Sequence, residues 1–114
     1  MSSDNIEEKS VESPVAPSTK AHVVVIGVHD YILANVENLL QRDGYTTVGF
    51  LDMEQAMEYI RANKTDLVLV GGGVNPNDRI AVKNLLSAEF PQARFLEHFG
   101  GPATIIPEVE QSLR

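Results

Sequence analysis

The chain has no cysteine and no tryptophan. The lack of cysteine excludes disulfides, thiolate metal sites and a cysteine nucleophile, and it accords with a reducing compartment. Basic residues are scarce: 9 Lys and Arg stand against 16 Asp and Glu, for a net charge of −7. No basic run exists. A domain of this sign is repelled by phosphate backbones and by anionic lipid, which argues against nucleic acid and membrane as direct partners. Long apolar runs are missing as well. The longest falls far short of a bilayer span, and the N-terminus has no apolar stretch of the kind a signal peptide needs. A cytoplasmic protein is expected.

What is present divides in two. Residues 1–21, MSSDNIEEKSVESPVAPSTKA, are rich in Ser, Glu and Pro and have no aromatic residue or apolar periodicity. Such a segment buries too little surface to offset its ordering entropy, so it reads as a disordered tail. Residues 22–114 are long enough for one small domain with its own core.

Within that domain, residues 22–28 (HVVVIGV) and 67–70 (LVLV) are near-continuous apolar runs. Runs apolar on both faces belong to parallel sheets covered by helices on each side. Residues 45–50 (YTTVGF) make a weaker strand. Residues 94–98 (RFLEH) alternate, as a strand near an edge does. Helical patterns lie between. Ile32, Val36, Leu39 and Leu40 share one face, with Asp30 as expected N-cap and Asp43-Gly44 as the stop. Met53, Ala56, Met57 and Ile60 share another, with Asp52 as cap. Val82, Leu85, Leu86 and Phe90 share a third, with Asp78 as expected cap and Pro91 as the stop. The order βαβαβαβ with short connections predicts right-handed crossovers and an open parallel sheet.

The C-terminal stretch FGGPATIIPEVEQSLR is less determined. Residues 103–106 are either an antiparallel edge strand or the lead-in to a terminal helix, because a further parallel strand needs a crossover of roughly a dozen residues. Pro107 suits the first position of that helix, and Glu108 and Glu110 suit its positive end.

The layout, and phrases such as GYTTVGFLDMEQAMEYIRANKTDLVLV, resemble the receiver domain of two-component response regulators. The resemblance spans residues 22–98. It implies an α/β, flavodoxin-like three-layer sandwich with an open parallel sheet, here shortened after the fourth strand. It also implies a site that this chain does not carry. The family's chemistry needs acidic residues after the first strand to hold Mg²⁺, since a hard cation requires carboxylate oxygens. It needs an Asp at the end of the third strand to accept the phosphoryl group. It needs a hydroxyl after the fourth strand and a Lys after the fifth. The acidic pair falls on Gly27 and Val28. The acceptor falls on Gly71. The hydroxyl falls near Glu97 or His98, and the last lysine of the chain is Lys83. The resemblance therefore implies a degenerate phosphorylation site at Gly27, Val28, Gly71 and His98, with no cofactor. It implies a non-catalytic pseudo-receiver that acts through protein contact in bacterial signalling.

Two further constellations lie on the same strand-end rim. Gly71, Gly72 and Gly73 let a backbone approach a phosphate, but the pattern is neither a P-loop nor a dinucleotide fingerprint. His29 and His98, with Asp30 and Glu97 adjacent, hold metal-ligating chemistry. Alternation sends Glu97 and His98 to opposite faces, however, and two solvated rim histidines are the expected state. A rim of Gly27, His29, Gly71, Gly72, Gly73 and His98 supports the alternative of a small ligand- or nucleotide-binding domain. For protein contact, the candidates are loop 71–75, with Asn75, and segment 99–113, with Phe99, Ile105, Ile106, Val109 and Leu113. The apolar residues of that segment either cover their own domain or dock on a second copy as a homodimer. An uncovered sheet edge favours such pairing.

Overall fold

A computed structural model describes residues 20–114. The expected tail lies outside the described residues except for its last two. Lys20 and Ala21 belong to the fold: Lys20 donates its backbone N–H to the Gly44 carbonyl at 2.9 Å, and Ala21 is buried in the core.

The elements are β1 (His22–Ile26), α1 (Asp30–Arg42), β2 (Thr46–Phe50), α2 (Met53–Ala62), β3 (Leu67–Gly71), α3 (Pro76–Glu89) and β4 (Arg94–His98). A 3₁₀ turn (Pro102–Thr104) then leads into α4 (Ile105–Ser112). All four strands are parallel, in the order β2-β1-β3-β4, so β4 lies at an edge as its alternation predicts.

The apolar strands separate two cores by simple alternation. Val23, Val25, Leu67 and Leu69 face α1 and α4. Val24, Ile26, Val68 and Val70 face α2 and α3. This is the three-layer α/β sandwich expected, and it ends after the fourth strand.

Helix ends differ from expectation in detail. The N-cap of α1 is His29, whose side chain makes no capping bond, and Asp30 is the first helical residue. The frame of α1 is accordingly rotated: Leu33, Val36 and Leu40 are buried, while Ile32 is exposed. Ile32 shares its spacing with Val36, but Leu33 matches the buried face better at i, i+3 and i+7. Gly44 closes this helix with a φ of 98°, a conformation glycine adopts without steric cost. Asp52 caps α2, accepting from the Glu54 N–H at 2.8 Å. The cap of α3 is Asn75, not Asp78. The Asn75 Oδ1 accepts from the Asp78 N–H, and its Nδ2 donates to the Asp78 carboxylate, both at 2.9 Å. Pro76 then takes the first helical position, where its missing N–H is harmless.

The ambiguity of residues 103–106 resolves as lead-in to a helix, not as a strand. The helix starts two residues before Pro107, at Ile105. Ile105 and Val109 are buried in the core shared with α1, and Ile106 and Leu113 pack against it half-buried. The terminal segment thus covers its own domain, which removes Ile105 and Val109 from any contact with a second molecule.

Candidate functional site

Register builds the rim. Val70 pairs with Ile26 on one side and Glu97 on the other, and Gly71 pairs with His98. Gly27, one residue past β1, donates its N–H to the Phe50 carbonyl at 3.1 Å. Gly27, Gly71 and His98 therefore stand at the carboxyl ends of neighbouring strands, where ligands bind in open parallel sheets.

The glycines are not there for want of room. A Cβ added at Gly71 meets only the Ile26 carbonyl, at 3.6 Å, and one at Gly27 meets Leu33 at 3.8 Å, both ordinary contacts. Neither residue has a positive φ. The backbone would thus tolerate a carboxylate-bearing residue at both points, and the sequence does not supply one. Gly72 and Gly73 are different. A Cβ at Gly73 would lie 2.6 Å from Val28 Cγ2, and one at Gly72 would lie 3.0 Å from the Phe99 ring. These two glycines let apolar side chains close over the loop.

The result is a cleft of about 420 Å³ between the strand ends, the start of α1 and the loop after β4. Ile32, Leu33, Val36, Val28 and Phe99 form most of its apolar wall, with Gly71–Gly73 as its floor and His29 and His98 at its border. Val28, Ile32 and Phe99 remain exposed at the lip, as does Tyr31 beside them. Phe99 is 68% exposed.

His98 is buried, contrary to the expectation of a solvated rim histidine. Its Nδ1 lies 3.0 Å from Glu108 Oε1 of α4, and its Nε2 donates to the Gly101 carbonyl at 3.1 Å. The ring beside it, helped by the Thr104 hydroxyl, holds the Glu108 carboxyl below its usual range, so the carboxylate is the acceptor. His98 is consumed in fastening α4 and the loop after β4 to the sheet. Because the Glu108 value is lowered on folding, its contribution is present above the unfolded value near 4.5 and fades as pH falls through the folded one. We expect Glu108→Gln to flatten the acid limb of a melting-temperature profile below about pH 4.5 while leaving the neutral region nearly parallel to wild type. The carboxylate is partly exposed and screened, so the change is small.

His29, the N-cap of α1, is exposed. Among the described residues no group of three or more His, Cys, Asp or Glu is placed to hold a metal ion. Alternation is obeyed: Glu97 faces the other side and pairs with Arg79 of α3, Oε2 to Nε, at 3.4 Å. Arg79 had no signal in the sequence. Its side chain is 17% exposed. It also reaches the Gly72 carbonyl and lies 5.2 Å from the centroid of the Phe99 ring. It ties the glycine loop, β4 and the cleft lip into one unit.

No family model matches the chain, and a search of curated proteins by sequence finds no relative. Similarity appears in solved structures. A response regulator from Thermotoga maritima superposes with a TM-score of 0.58 at 22% identity, over 81% of this chain and 78% of that one. The signal receiver domain of an HD domain-containing protein from Pseudomonas fluorescens Pf-5 superposes with a TM-score of 0.57 at 19% identity, over 87% and 74%. The chain has the fold of a receiver domain.

Proposed function

We propose that this chain is a pseudo-receiver: a signalling module that does not take up a phosphoryl group on Asp and acts through protein contact at the strand-end rim. The observation that carries this reading is the chemistry of three neighbouring strand ends. Where phosphoryl transfer to a receiver needs carboxylates, the chain has Gly27, Val28 and Gly71, and the backbone at the two glycines would accept larger residues. The histidine at the fourth strand's end is engaged by Glu108 and Gly101. In place of a polar site the rim offers an apolar cleft with exposed Val28, Ile32 and Phe99 at its lip. A clustered exposed apolar surface marks a contact site.

Magnesium provides the test. A ligand that binds only the native state raises the melting temperature by mass action. The melting temperature of the full chain should not change between no Mg²⁺ and millimolar Mg²⁺ at constant ionic strength. A saturable rise would contradict the reading.

The cleft volume favours one second reading, a site for a small apolar ligand, since pockets of about 300–1,000 Å³ with mostly apolar walls hold such molecules. Melting the chain with a series of small aromatic compounds separates the two. A concentration-dependent rise that Phe99→Ala abolishes would support the ligand site; indifference to the whole series supports protein contact.

A further inference from the structure

Strand β4 ends the sheet, and among the described residues nothing pairs with its outer side. In a parallel strand the N–H and C=O of one residue point to the same neighbour, and successive residues alternate. The Arg94 N–H donates to the Asp66 carbonyl of the β3 side at 2.9 Å. Arg94, Leu96 and His98 therefore bond inward, and Phe95 and Glu97 present their N–H and C=O outward. Among the described residues, two donors and two acceptors stand open on a short, half-apolar edge.

We propose that this edge pairs with β4 of a second copy of the chain, antiparallel, about a two-fold axis through Leu96. The register follows from the open groups. A two-fold antiparallel pair keeps each side chain on its own face of the joint sheet. Only with Phe95 opposite Glu97 of the second copy, and Glu97 opposite Phe95, do all the open groups of both strands find partners, in four bonds. Leu96 then meets its own equivalent across the axis, on the face of α4.

Charge identifies the occupant as a second copy. Lys83 of α3 borders one surface depression with Phe95 and another with Phe95, Arg79 and its own chain's Glu97, and it makes no ion pair within the described residues. The pairing brings Glu97 of the second molecule opposite Phe95, and so beside Lys83. The contact occurs twice by symmetry. Glu97 keeps Arg79 on its own side, so each acid is flanked by two cations. This surface is separate from the cleft, and the inference stands or falls independently of the function proposed above.

A single strand pair buries less than a standard interface, so the dimer is weak and concentration-dependent. Sedimentation equilibrium of the full chain, over a dilution series, should show monomer passing to dimer. Lys83→Glu sets like charges together at both contacts and should weaken association about tenfold. Glu97→Gln, which removes the acid without setting a cation beside Arg79, should weaken it in the same direction. Lys83 is exposed, so its replacement leaves the fold intact, and circular dichroism checks this. In parallel, amide exchange should show protection at Phe95 and Glu97 that rises with concentration, with Leu96 protected throughout. A chain monomeric at every concentration would overturn the proposal. So would a dimer indifferent to Lys83→Glu, or one in which the Phe95 and Glu97 amides exchange freely.

Discussion

Ile105→Ala should lower the stability of this domain by about 2–5 kcal/mol, the cost of emptying a buried branched side chain that its surroundings cannot refill. The melting temperature should fall by ~10 °C or more. The reason lies in how the chain ends. After β4 it does not form another strand; it turns at once onto the face of α1. Ile105 and Val109 are then the cover of Val23, Val25, Leu67 and Leu69, together with Leu33, Val36 and Leu40. Ile106, the next residue, is half-buried on the border of that cluster. Ile106→Ala should cost less than about 1.5 kcal/mol, as changes outside a core do. Urea unfolding of the two variants measures the difference. Equal and small losses would mean that α4 is not part of the fold's core.

His98→Leu should cost about 1.5–3 kcal/mol, the range for hydrogen bonds that involve a charged group. Leucine keeps the volume and the burial, so the loss reports the two polar contacts and not a cavity. It should also free the start of α4 locally. The amides of Thr104, Ile105 and residues 109–112 should exchange faster in the variant, while those of β1 and β3 keep their protection. Local loosening without loss of the central strands distinguishes a fastening role from general destabilisation. Unchanged exchange at α4 would show that His98 does not hold it.

These two sites also mark what could be read in advance. The central strands were legible because LVLV and HVVVI are apolar on both faces, a pattern only a covered parallel strand requires. The second and third helices were legible from their spacing. Ile32 was misplaced because one turn of α1 offers two adjacent apolar residues, Ile32 and Leu33, and spacing alone does not decide which faces inward. Asp78 was misassigned as a cap because Asn75-Pro76 supplies a better one, with Asn donating and accepting around the first turn. The placement of Gly27, Val28 and Gly71 at strand ends was readable because each closely follows an apolar run. The burial of His98 was not. Its burial depends on Glu108, ten residues away across a turn whose path no local pattern sets, and the same holds for Arg79 and Glu97. Side chains that close a site over long sequence distances leave no periodicity to detect.

If the chain is a pseudo-receiver, as proposed, this rim takes up no phosphoryl group. The most direct test incubates the purified full chain with Mg²⁺ and a small-molecule phosphodonor, then measures the intact mass. An unchanged mass is expected at every donor concentration and time, alongside a phosphorylatable receiver that gains one phosphoryl group under the same conditions. An acid- and base-labile gain of one phosphoryl group, mapped to an aspartate of this chain, would contradict it.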